Sequence, residues 1–275
     1  MALSHRVKLL ACCGLLMLLT GTCLADSASF LQAERQLLQQ EQALSRLADG
    51  LEEWLAGRLA KEQLLIKLEE VSQDLKECPG LPRDSSRKLL RLERTMLDKA
   101  RSFATRNKPD GEGQRELFLS LSSLNEERTL LLLEWRTRQL TELLADSTPA
   151  ELHAHYRWEA SWLPLWREEA VLTRKLQQGL LNEGPDQADH RAILQSLLRL
   201  RSRAEAVAPP ALDRELHRLC LERLVILART AEQLLRLEKR KSRGALTRVR
   251  RLSKRLSALT EEYQEKRLHV LQQVR

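Results

Sequence analysis

Residues 114–145 read QRELFLSLSSLNEERTLLLLEWRTRQLTELLA, and their spacing decides the fold. Leu117, Leu121, Leu124, Leu131 and Trp135 recur at steps of three, four and seven among Glu, Arg, Ser and Thr, which lines one face of a helix and no face of a strand. The rest of the chain follows suit. Leucine supplies 62 of 275 residues, whereas Ile and Val together supply 11. Leu keeps most of its rotamer freedom in a helix, and the β-branched strand formers are scarce, so the composition predicts an all-α protein, a helical bundle of long antiparallel helices.

Outward from that stretch the helices are marked by breakers. A periodic segment over 30–57 carries Leu37, Leu44, Leu47, Leu51 and Trp54, and a second from Leu64 to Leu75 stops at Cys78-Pro79-Gly80-Leu81-Pro82. A third spans 84–106. Thr148-Pro149-Ala150-Glu151 is a capping box with Pro in the first turn, so a fifth helix is expected from there to about Leu181. Pro164 predicts a kink in it, or an end near Ala160 with Ser161 capping a new helix. Ala208-Pro209-Pro210 and Gly244 separate the last three.

Four helices followed by four suggests a tandem duplication. An offset of 129 lays Leu65 on Leu194, Leu68 on Leu197 and Leu92-Glu93-Arg94 on Leu221-Glu222-Arg223, and an offset of 128 pairs Leu121 with Val249 and Trp135 with Tyr263. The organisation expected is a signal peptide at 1–25, a first four-helix unit at 26–147 and a second at 148–275.

Residues 1–25 have the layout of a secretory signal. His5, Arg6 and Lys8 precede an apolar run from Leu9 to Leu19, and small residues lead to Ala25. The run is about half the length needed to span a bilayer, so cleavage after Ala25 and an exported, periplasmic or extracellular protein are expected. A retained anchor is the alternative, and Thr22 and Thr20 argue against lipidation at Cys23. Cleavage leaves Cys78 and Cys220, which could form one disulfide, although the leucine-rich setting of Cys220 suits a packed thiol.

Charge divides the halves. Residues 26–147 hold 19 Lys and Arg against 22 Asp and Glu, and residues 148–275 hold 25 against 16. The densest basic run is Lys239, Arg240, Lys241, Arg243, Arg248, Arg250, Arg251, Lys254 and Arg255, beside a seam of Val249, Leu252, Leu256, Leu259 and Tyr263. Such a helix attracts polyanions: an anionic envelope component or protein partner, with peripheral membrane contact, rather than nucleic acid. The bland reading is a solvated face paired with the acidic first half, in the same molecule or in a second copy. Trp158, Trp162 and Trp166 share one helical face, which packs in a core or lines a ligand or partner face.

Catalytic and metal motifs are lacking. There is no GxSxG, HExxH, CxxC, phosphate loop or EF-hand; His153 and His155 splay apart on a helix, and no cofactor or metal is expected. Glu69, Glu70 and Lys67 read as a solvated face. Leu259-Thr260-Glu261-Glu262-Tyr263-Gln264 resembles the LTxxQ element of small periplasmic stress chaperones over six residues, with Tyr263 in place of the Gln and Gln264 one residue late. The resemblance implies an exported helical protein with a basic binding surface. The expected function is a non-enzymatic helical interaction protein of the envelope whose basic half binds an anionic partner. The alternative is a ligand-binding or chaperone-like protein using the Trp face.

Overall fold

The computed structural model describes residues 27–78, 81–106, 111–145, 150–181, 189–240 and 243–273. Eight α-helices account for nearly all of them: α1 (Ser27–Leu55), α2 (Lys61–Asp74), α3 (Arg83–Thr105), α4 (Gly111–Ala145), α5 (Ala150–Leu181), α6 (His190–Glu205), α7 (Arg214–Arg240) and α8 (Arg243–Gln273). A 3-10 turn at Ala211–Asp213 leads into α7. The signal-peptide reading, and the predicted starts and stops at Pro79, Gly80, Thr148, Pro149 and 182–185, lie outside the described residues. No described helix is long and apolar enough to cross a membrane.

Local chemistry sets several ends. Asp189 caps α6 by accepting from the backbone N–H of Arg191 at 2.9 Å and of Ala192 at 3.1 Å, which satisfies donors the helix cannot. At α2 the Gln63 side chain accepts from the Ala60 N–H. Gly57, with φ of 72°, occupies the left-handed region as the chain leaves α1. Pro164 does not break α5, contrary to the sequence reading of an end at Ala160. One helix runs through it, Ser161 Oγ donates to Trp158 O at 2.6 Å rather than capping a new start, and the buried indoles on both sides hold the turn in place.

Successive helices run antiparallel, each packing on its neighbour in the chain, and α8 returns to pack on α1. Cross-helix ion pairs record the register: Lys67 with Glu53 and Arg46 with Asp74 on α1–α2, Arg255 with Glu222 and Lys266 with Glu215 on α7–α8, Arg250 with Glu52 on α8–α1. Lys67 thus reaches across a hairpin instead of serving Glu69 or Glu70. Helices α1 and α4 meet through Glu41 and Arg128, α5 and α8 through Glu159 and Arg267. Four long helices therefore form the centre, flanked by the α2–α3 and α6–α7 hairpins. The largest apolar cluster runs from Phe118, Leu133 and Leu140 of α4 through α8, and a second joins α1 to the start of α4. The principal core thus crosses the middle of the chain.

The two halves bury matching positions. Leu64, Leu68, Val71 and Leu75 correspond to Ile193, Leu197, Leu200 and Ala204 at the offset of 129 read from the sequence. Leu117, Leu121, Leu132 and Trp135 correspond to Ala245, Val249, Thr260 and Tyr263 at 128. On α3 and α7 the burial register differs by two residues from the sequence alignment: Leu89, Met96, Leu97 and Ala104 match Leu216, Arg223, Leu224 and Ala231. The Leu-Glu-Arg coincidence fails because Arg94 is exposed where Arg223 is buried. On α1 and α5, Ala33, Leu37, Gln40, Leu44 and Leu47 match His155, Glu159, Trp162, Trp166 and Glu169. Cys78 and Cys220 are both buried, with no disulfide between them, and Cys78 Sγ lies 3.5 Å from Ala33 O.

Candidate functional site: the basic edge of the last hairpin

Helix α8 separates its cations by the neighbour each faces. Arg250, half-buried, lies 3.5 Å from Glu52 of α1, and Lys254 is close enough to Asp49 to favour that carboxylate's charge. Burial, then the neighbouring Glu52, nevertheless raises Asp49 above its ordinary value. On the α7 side Arg255 forks onto Glu222 Oε1 at 2.8 and 3.2 Å. Arg248 and Arg251 are exposed and have no ion-pair partner among the described residues. Lys239 and Arg240 end α7 and Arg243 begins α8, but their side chains, and Lys241 altogether, lie outside the described residues. The basic run is thus divided: part faces the acidic first half, as the bland reading expected, part pairs within the second half on α7, and Arg248 and Arg251 are exposed.

Farther along, the hairpin neutralises itself. Arg218 forks onto Glu215 at 2.8 and 2.9 Å and reaches Glu222 at 3.0 Å, while Lys266 reaches Glu215 at 2.8 Å. Hydrogen bonds from Arg218 and Lys266 hold the exposed Glu215 carboxyl down at about 2.

The Trp stripe is core. Trp158, Trp162 and Trp166 are 3%, 0% and 3% exposed, with ring centroids 6.0 and 6.1 Å apart along the stripe. His217 of α7 meets Trp162 edge-on at 5.5 Å, Tyr263 of α8 meets Trp166 at 6.2 Å, and the Arg136 guanidinium of α4 lies 5.1 Å from the Trp166 centroid. Three helices cover the face that could have taken a ligand. What is open on α5 is its other side, where Ala160, Leu163 and Pro164 with Leu133, Leu140 and Leu144 of α4 line a groove of about 340 Å³. Leu259, Thr260, Tyr263 and Gln264, which carry the chaperone-like resemblance, are buried as well.

Sequence reading missed the charged interior. In the first half Arg128 on α4 meets Glu93 of α3 at 2.7 Å and Glu41 of α1 at 3.2 Å, all three buried. Two carboxylates facing one guanidinium in a dry site cannot both ionise cheaply. Burial pushes Glu41 up to about 8 against the pull of Arg128, with Glu93 adding to the rise, and burial raises Glu93 too. In the second half Arg223 meets Glu169 at 2.9 Å, Arg267 forks onto Glu159, and His155 Nδ1 lies 2.6 Å from Asp213. Burial opposes the charge of Glu159, but Arg267, then His155, hold its carboxyl at about 2. Burial alone lowers His217, and burial raises the Cys220 thiol well above its usual range. These groups are buried in the interior. His153 stands apart from His155, 3.2 Å from Leu144 O. Among the described residues no group of three His, Cys, Asp or Glu side chains is placed to hold a metal ion.

No protein-family model matches this chain, and neither a curated protein nor a solved structure is similar enough to count as a match.

Proposed function

We propose that this chain is an exported, non-enzymatic helical interaction protein that docks on an anionic partner through the basic second half, at the α7–α8 edge. The observation that carries this reading is Arg248 and Arg251, two exposed cations without an ion-pair partner among the described residues, on a helix whose other described cations in the run each face a carboxylate. A guanidinium in water gains little from remaining unpaired, and it attracts an incoming anion through a screened field. The signal-like segment at 1–25 supports placing that partner at the envelope, and the matching burial of the two halves supports a tandem origin. The test is fractionation of the expressing cell. The protein is expected in the envelope fraction, released by a salt wash as the Debye length falls to about 3 Å near 1 M salt. The Arg248→Gln/Arg251→Gln variant should already be released at low salt. Retention of that variant at low salt, like the parent's, would overturn the reading.

A further inference from the structure

The α7–α8 hairpin carries a graded ladder of charge. Arg255 faces Glu222, and in a packed helix pair such rungs repeat every seven residues. One heptad toward the chain termini brings Glu262 level with Glu215; one heptad toward the turn brings Arg248 level with Arg229, and a further heptad takes α7 to Arg236. The rungs thus change from acid–acid through acid–base to base–base. The acid–acid rung is cancelled from within, because Arg218 and Lys266 each reach both Glu215 and Glu262. The base–base rung is not. Glu232 stands three residues after Arg229, the place Arg218 holds after Glu215, yet it forms no ion pair among the described residues, and Arg229, Arg236, Arg248 and Arg251 are all exposed and unpaired there. Like charges facing each other between helices are destabilising, so an external anion gains most at this rung.

We propose that Arg229 and Arg248, with Arg236 and Arg251, form a docking site for the phosphate groups of an anionic phospholipid surface. This rests on the anion-binding reading above. All four side chains are arginines, whose planar fork matches phosphate oxygens in pairs. Successive rungs are about 10.5 Å apart along the hairpin, from the helical rise. The cations therefore form an extended, exposed row, which suits an array of separate headgroups better than one small ion. Lys239, Arg240, Lys241 and Arg243 prolong the row in sequence toward the turn. Acidic residues of α1 already occupy Arg250 and Lys254 on the other side of α8, which leaves the α7 side as the docking edge.

The test floats the full chain on vesicles of phosphatidylcholine, with and without phosphatidylglycerol, at low salt. The parent should bind only the anionic vesicles. Each cation near such a surface contributes about fivefold, so each reversal to Glu should cost roughly 30-fold. Arg229→Glu should in addition raise the melting temperature, because it turns the base–base rung into a copy of Glu222–Arg255; a gain of stability with a loss of binding is the signature of the site. Arg191→Glu/Arg199→Glu, at exposed positions of α6, makes the same change of net charge as Arg229→Glu/Arg248→Glu and should bind as the parent does; equal loss there would overturn the site in favour of bulk charge. If Arg248→Gln/Arg251→Gln loses binding while Arg229→Glu and Arg236→Glu float like the parent, the two-helix ladder site is wrong and the anion-binding reading stands. A parent that ignores phosphatidylglycerol but is retained by soluble polyphosphate overturns the lipid source. A parent that binds neither overturns both.

Discussion

The two halves bury charge at different places, and where one buries an ion pair the other has uncharged side chains. Glu41, Glu93 and Arg128 of the first half fall, by burial register, on Leu163, Cys220 and Leu256 of the second. In the other direction Glu159 and Arg267 fall on Leu37 and Gln139, Glu169 and Arg223 on Leu47 and Met96, His155 and Asp213 on Ala33 and Ser86. Buried Arg136 of the first half, which falls on Gln264, joins the field around Glu159 of the second, but within these four sets the charges are present or absent together. This is what the energetics demand: a buried pair can be exchanged for apolar residues at little net cost, whereas a lone buried charge is strongly destabilising. The comparison teaches that the interior ions are alternatives to apolar packing, which is why the proposed interaction is sought among the unpaired surface charges.

The largest effect expected comes from splitting one of these sets. Arg267→Gln alone, leaving Glu159 buried without its fork, should cost about 3–5 kcal/mol. Adding Glu159→Leu, so that the second half carries what the first half has at Leu37 and Gln139, should restore most of it. Urea unfolding of both variants checks this. A double variant no better than the single would break the correspondence between the halves.

A smaller effect separates the two carboxylate sites by pH. Glu41 is held near 8 in the folded protein, above its unfolded value near 4.3. The folded state therefore binds the extra proton between those values, and stability falls as pH rises through that window. Glu159 is held near 2, so its contribution is present above the unfolded value and is lost as pH falls toward 2. Glu41→Gln should flatten the decline between about pH 5 and pH 8 without touching the acid limb. Unfolding midpoints across that range measure it. An unchanged alkaline decline would show that the Glu41, Glu93 and Arg128 set is not its source.

Much of the fold was legible because leucine spacing and breakers report helices directly: the periodic run at 114–145 falls within α4, and the break expected at Ala208-Pro209-Pro210 separates α6 from α7. At Pro164 the sequence left two paths open, a kinked helix or an end near Ala160, and only the burial of Trp158, Trp162 and Trp166 on both sides of it decides for one continuous helix. The interior ions were not legible either, because Glu and Arg on an amphipathic helix normally mark its wet face. A signal did exist: Arg128 follows Leu121 by seven and precedes Leu132 by four, in phase with the buried stripe. Of the candidate site, the exposed cations Arg248 and Arg251 lay in the run read from the sequence. Arg229 lies one helix earlier and emerges only once the α7–α8 register is known.

The measurement that bears most directly on the contrast between interior and surface charge is the salt concentration at which the protein leaves an anionic resin. It would be taken for the parent, for Glu159→Leu/Arg267→Gln and for Arg248→Gln/Arg251→Gln, with folding checked by circular dichroism. The first variant should elute with the parent, because the pair it removes is buried, and the second should elute at clearly lower salt. Elution of Arg248→Gln/Arg251→Gln with the parent, or early elution of the buried-pair variant, would contradict the assignment of interaction to the open edge of α7–α8.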